Sequence, residues 1–290
     1  MLTEYQKHWG VDQWAAFLTS QEIPCMTRSK LLLRALEEVE GETLSAADLT
    51  SLVIGDPYLC LRLLREAESH RSHRLGHDTT TPLGAVMQLG IKTFRNLLLG
   101  SPETDDHREG LLACDSRAVL ASQIAQMWGK ARADIAPEEV AMAALLAEIG
   151  ELLLWNFAPE LPQAALDALE SGRAHRSAEA QELTCGFRFR DLSMKCATVW
   201  ALPPLLVQLI RGMDNVRANL CKLYLDTARH LVTSADNPAL PDDLAQAKRL
   251  VQHASLEWLA SHMNGLNEER QAELVVAAQA ILDNDEVNPE

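Results

Sequence analysis

Leucine and alanine fill most apolar positions of the chain, in runs of helical length separated by short polar or Gly/Pro-bearing stretches, which predicts helices throughout. Ser45 is placed to cap a segment ending near Ile54. Asp56-Pro57 then starts another helix, with a side-chain acceptor at the cap and a proline whose fixed φ suits the first turn. Leu59, Leu61, Leu63 and Leu64 mark that helix as mostly buried. After the polar stretch ESHRSHRLGHDTT, Thr81-Pro82 repeats the start signal for a helix reaching about Leu89, where Gly90 breaks it. The run from Ile91 to Leu99 carries apolar residues on nearly every side, the pattern of a helix buried within a lobe. Residues 100–110, GSPETDDHREG, combine turn formers with charge and predict a boundary.

Beyond that boundary, Ala136-Pro137-Glu138-Glu139 leads into VAMAALLAEIGELLLWNF, read as one long core helix whose acidic start complements the helix dipole. Further helices are expected at about 160–171, 176–185, 189–201, 204–213 and 215–233, and a last pair at about 241–263 and 267–283. The expected architecture is all-α and two-lobed. It comprises an N-terminal helical extension (1–19), a main body (20–235, split into lobes 20–100 and 111–235), and C-terminal helices with an acidic tail (236–290).

Composition supports a folded chain, with 47% hydrophobic and 23% charged residues among 290, while 5% aromatics and sparse β-branched residues argue against strands. The formal net charge of −15 disfavours nucleic acid, which requires a basic face. The acidity is uneven. Residues 1–100 hold 10 Lys+Arg against 12 Asp+Glu, leaving 16 against 29 for the rest. A nucleic-acid binder would have to draw on Arg62, Arg65, Arg71, Arg74, Lys92 and Arg95 in the first lobe. The six cysteines, Cys25, Cys60, Cys114, Cys185, Cys196 and Cys221, never fall two or three apart, so they read as small buried hydrophobes and not as a zinc or redox pair. No leader-like start and no obvious membrane span are seen, so a cytoplasmic location and no membrane contact are expected.

Four stretches are more specific than this. DPYLCLRLLREAES (56–69) and TPLGAVMQLGIKTFRNLLL (81–99), in that order and at that separation, resemble the two signature blocks of the HDOD family. AALLAEIGELLLW (143–155) resembles the core helix that this family shares with HD-type phosphohydrolases. ELTCGF followed by VWALPPLLVQLIRGMDN is similar to the region closing the family's second half. Asp56, Pro57, Gly90, Arg95, Asn96, Gly150 and Pro203 are the residues that carry the match. Arg95 and Asn96 stand out as polar residues in an apolar helix, and are expected to bond neighbouring backbone carbonyls or to bind a ligand.

What the resemblance implies is a helical module of bacterial signal transduction, regulatory in role. The His-Asp doublet that holds catalytic metal in HD enzymes is replaced here by Ala147 and Glu148, and the lysine that often follows it by Glu151. The family's upstream histidine falls near Asp115, and the closing histidines are replaced by Gly212-Met213-Asp214. Two readings stay open. Asp115, Glu148, Glu151 and Asp214 could converge on Mg²⁺ or Ca²⁺ through oxygen alone, or Glu148 caps or pairs within the core while the others are solvated. His70, His73, His77 and Asp78 could likewise form a metal-binding helix face, but with Arg71 and Arg74 among them they read better as a surface loop that contacts an acidic partner.

The expectation is therefore a catalytically inactive interaction module with no cofactor, binding in trans a protein partner, or a nucleotide or other small ligand in a groove between the lobes. A divergent metal-dependent phosphohydrolase is the enzymatic alternative. Trp9 and Trp14 are placed to pack on the body or on a second subunit, which leaves a homo-oligomer open.

Overall fold

The computed structural model describes residues 2–41, 44–69, 79–212 and 215–287, and among these it holds seventeen α-helices and no strand. The first lobe contains α2 (Thr27–Glu40), α3 (Ala46–Ile54), α4 (Pro57–Ser69), α5 (Pro82–Leu89) and α6 (Ile91–Gly100). The second is built on α7 (Glu109–Gly129), α8 (Pro137–Leu146), α9 (Ile149–Phe157), α10 (Glu160–Glu170), α11 (Ser177–Cys185), α12 (Phe189–Val199), α13 (Pro204–Arg211) and α14 (Val216–Thr233). Before the first lobe stands α1 (Val11–Ser20), and after the second come α15 (Leu240–Leu250), α16 (Leu256–Ser261) and α17 (Glu268–Val287).

The start signals act as the local sequence suggests. Ser45 caps α3 by accepting from the Asp48 N–H, and Thr81 caps α5 by accepting from Gly84. Gly90 joins α5 to α6 at φ +79°, a conformation that side chains rarely adopt; its N–H closes α5 on the Val86 carbonyl and its carbonyl opens α6 to Phe94. Pro203 sits at the cap of α13 with its carbonyl accepting from Val207.

Asp56 has the widest reach of these residues. Fully buried, it accepts from the backbone of Tyr58 (2.9 Å) and Leu59 (3.0 Å) at the start of α4, and from Met26 N–H (2.8 Å) and Ser29 Oγ (2.7 Å) at the start of α2. One carboxylate thus serves the positive ends of two helices. Arg28, in the first turn of α2, forms a two-pronged bridge to buried Asp115 on α7 (2.6 and 2.8 Å) and also donates to the Gly55 carbonyl, tying the lobes together. Tyr58 Oη donates to the Leu152 carbonyl, and Arg65 lies 5.2 Å over the Trp200 ring. Within the expected boundary, the Pro102 carbonyl and Thr104 N–H bond to Cys25, a turn follows at 106–107, and α7 begins at Glu109.

Three expectations are corrected. The stretch from Pro137 to Phe157 is two helices and not one, with a turn at Ala147 and Glu148. The bend lets α9 approach α12 so closely that a Cβ on Gly150 would lie 2.7 Å from the Ser193 backbone nitrogen and 2.9 Å from the Phe189 carbonyl; the Gly150 N–H donates to Ser193 Oγ. The expected 241–263 helix breaks likewise into α15 and α16, with Ser255 capping the second on Trp258. Finally, α6 buries only Phe94 and Leu98, so Arg95 and Asn96 are exposed, and Arg95 pairs with Glu37 on α2 instead of bonding backbone carbonyls.

The two ends of the chain pack on the second lobe. Trp14 is 1% exposed, and α1 lies against α12 with Asp12 paired to Lys195 (2.6 Å). Trp128 on α7 donates to the Leu259 carbonyl of α16 (3.0 Å). Pro137–Phe157 is long and apolar enough to cross a bilayer, yet 78% of its most apolar window is buried among the other helices. Five of the cysteines are buried and Cys185 is half-buried, all as free thiols.

On α15, Asp243 accepts or shares a hydrogen bond with His230 Nδ1 of α14 (2.7 Å), and burial, with Asp226 and Asp242 nearby, lifts its pKa to about 6 against the pull of His230. The folded chain therefore holds the Asp243 proton more tightly than the unfolded chain does. Its contribution to stability is fully present below about pH 4 and is lost as pH rises through about 6. Asp243→Asn is expected to stabilise the protein by about 1–2 kcal/mol at pH 7.5 and to leave it unchanged near pH 4. Denaturant titrations at the two pH values check this, and a loss of stability at pH 7.5 would contradict it.

Candidate functional site

The turn between α8 and α9 places Glu148 where the second-lobe helices meet, and the first turn of α9 brings Glu151 beside it. Opposite them on α7, Cys114 and Arg117 fall one turn apart on the inward stripe. Arg117 spans the two carboxylates. Its Nε donates to Glu148 Oε2 (3.0 Å) and its Nη2 to Glu151 Oε1 (2.9 Å), and all three side chains are less than one-fifth exposed. From α14, Arg229 donates to the other oxygen of Glu148 (3.0 Å) and pairs with Asp226 (3.1 Å).

Charge in this centre is therefore balanced by protein groups. Burial acts to raise the Glu148 pKa, and the guanidinium groups of Arg117 and Arg229 outweigh it, holding the carboxyl below its ordinary range. Burial also opposes the charge on Arg117, and its neighbours more than offset it. Cys114 is fully buried, and that burial pushes its thiol well above the ordinary range, so it stands protonated.

Ligand atoms of Cys114, Glu148 and Glu151 lie within 4.8 Å of one another. As a donor set for a divalent cation they do not fit. The thiol would have to lose its proton, and both carboxylates would have to give up a guanidinium already seated between them. Of the four carboxylates suggested by the sequence, Glu148 and Glu151 do come together. Asp115 does not join them, because its two oxygens are held by Arg28 on the side of α7 that faces the first lobe. Asp214 lies outside the described residues, as do His70, Arg71, His73, Arg74 and His77.

Sequence reading missed Cys114, Arg117 and Arg229. The available signal was Arg117 itself, a charged residue in register with Cys114 and Ala121 on the buried stripe of a helix, which requires an acidic partner.

Glu148, Glu151 and Arg229 open onto a cleft of about 510 Å³ between α9, α11, α12, α13 and α14. Its rim carries Arg188, Arg190, Asn219 and Lys222, and its floor includes Phe189, Leu209 and Ile210. Smaller clefts lie against Arg62 and Arg65 in the first lobe and against Arg217 in the second. Each of the three is lined from within one lobe, unlike the expected groove between lobes. Of the suggested basic strip, Arg62 bonds the Ile23 carbonyl, Arg65 stacks on Trp200 and Arg95 pairs with Glu37, while Arg71 and Arg74 lie outside the described residues.

The HDOD domain family matches residues 26–216. That span holds Arg117, Glu148 and Glu151 and stops before Arg229. No curated protein matches. Among solved structures, the chain is similar to the MmoQ response regulator from Methylococcus capsulatus str. Bath, at 20% identity over 89% of this chain and 99% of that one, with a TM-score of 0.61. It is also similar to a virulence factor from Campylobacter jejuni subsp. jejuni, at 15% identity over 92% and 99% of the two chains, with a TM-score of 0.69. Both likenesses concern the fold.

Proposed function

The chain belongs to the HDOD domain family, and from that premise we propose that it is a binding module of bacterial signal transduction, without the metal-dependent chemistry of HD enzymes. The observation that carries this reading is Arg117, whose guanidinium lies within 3.0 Å of both Glu148 and Glu151 and supplies the positive charge that a metal would otherwise bring. Such a centre supplies no metal-bound water for attack on a phosphate ester, because a guanidinium has no coordination position to offer. The output is then a contact made in trans, with a protein or a small ligand. That one fold relative is a response regulator is in keeping with a signalling role.

The competing reading is a divergent phosphohydrolase. Protein purified without chelator and offered bis(p-nitrophenyl) phosphate with Mn²⁺, Mg²⁺ or Fe²⁺ is expected to release no nitrophenolate above buffer. Release that disappears in Glu148→Gln would contradict the binding reading.

A further inference from the structure

We propose that the cleft beside Glu148 binds a small organic phosphate, holding the phosphate with Arg190 and Lys222 and the apolar body against Phe189, Leu209 and Ile210. The proposal rests on the reading that the centre is closed to metal. It concerns what the neighbouring space accepts once no cation competes for the anion.

The chain as a whole is acidic, with a formal net charge of −15, yet the cleft is locally the reverse. Its cations are Arg188, Arg190, Lys222 and Arg229, against Glu148, Glu151 and Asp226, and Arg117 behind its wall cancels one more carboxylate. Arg188 is drawn to Glu182, and Arg229 to Glu148 and Asp226. Arg190 and Lys222 have no acidic partner among the described residues. A concave site with low-dielectric walls concentrates the field of such uncompensated charges, so a small anion is attracted there and not to the acidic surface around it.

Arg190 is also positioned in advance. Its Nη2 donates to the Arg211 carbonyl (2.6 Å) at the end of α13, where Gly212, at φ +66°, leaves room that a Cβ would take, 2.9 Å from that nitrogen. One of the five guanidinium N–H groups is used in this anchor, which holds one corner of the group and leaves the remaining donors for phosphate oxygens. Lys222, exposed on α14, adds a point charge, and Asn219 a neutral donor. The volume, about 510 Å³, is that of sites taking an organic molecule and exceeds what a bare anion fills. The apolar floor favours a ligand with a ring or hydrocarbon body.

Calorimetric titration at low salt with phenyl phosphate, and separately with inorganic phosphate, tests this. Phenyl phosphate is expected to bind once per chain and more tightly than inorganic phosphate. Arg190→Ala and Lys222→Glu, both exposed and outside the core, are each expected to melt like wild type and to weaken binding about tenfold or more. Lys92→Ala on α6 is the control that leaves binding unchanged. No saturable binding to wild type, equal affinity for the two anions, or undiminished binding in both cleft variants would overturn the proposal. Parallel incubation with p-nitrophenyl phosphate separates the two readings. Release of nitrophenolate would overturn the binding-module reading alone, whereas absence of binding would overturn the present proposal alone.

Discussion

Replacing Arg117 with alanine is expected to cost the protein about 3–5 kcal/mol of stability, because two mostly buried carboxylates lose the group that neutralises them. Arg229 remains on Glu148 but does not reach Glu151. In a thermal melt this corresponds to a fall on the order of 10 °C. Arg117→Ala combined with Glu148→Gln and Glu151→Gln is expected to recover a large part of the loss, since it removes the unpaired charges along with their partner. The single variant also leaves Cys114, Glu148 and Glu151 within 4.8 Å of one another with no guanidinium between them. Added Zn²⁺ is therefore expected to raise its melting temperature while leaving the wild type unchanged. A loss below about 1 kcal/mol in Arg117→Ala would place the guanidinium outside the charge balance of the centre.

The second large effect is expected at Asp56. Alanine there would strip the acceptor from three backbone N–H groups and the Ser29 hydroxyl, all at the starts of α2 and α4 and cut off from water. At about 1 kcal/mol or more for each buried donor left unmade, the loss is about 3–5 kcal/mol. Asn is expected to lose less, since its one oxygen can still accept from Tyr58 and Leu59. Guanidinium titrations of the two variants read the difference. Because Met26 and Ser29 adjoin Arg28, the damage is expected to spread to the Arg28–Asp115 bridge, and amide exchange should rise in α2 before α14. Equal stability of Asp56→Ala and wild type would show that neither helix depends on the carboxylate.

Much of the fold was legible because its signals are local. Asp56-Pro57, Thr81-Pro82 and Ser45 state their helix starts within a few residues, and the structure uses each as a cap. The bend at Ala147 and Glu148 was not legible, since no proline marks it and Gly150, two residues on, falls inside α9; the α12 surface that the bend brings α9 against lies more than forty residues away in the chain. The exposure of Arg95 and Asn96 was missed for a related reason. Composition described α6 as apolar, but only the placement of α2 and α4 decides which side of it faces inward.

In the centre itself, the family resemblance set Ala147 and Glu148 where HD enzymes carry their His-Asp doublet. The partners of Glu148 were not legible, because Arg117 and Arg229 come from α7 and α14, 31 and 81 residues away. Carboxylates at those positions look alike in sequence whether a metal or an arginine completes them. Burial and geometry distinguish the cases, as they separated Asp115 from the pair it was expected to join.

Whether this centre takes a metal decides between binding and metal-dependent chemistry. The wild-type protein, purified without chelator, dialysed against buffer containing Mn²⁺, Fe²⁺ and Zn²⁺ and then desalted, can be assayed for bound metal by mass spectrometry. Far less than one metal per chain is expected, with the same low content in Glu148→Gln. A stoichiometric metal in the wild type that is lost in Glu148→Gln would contradict that expectation.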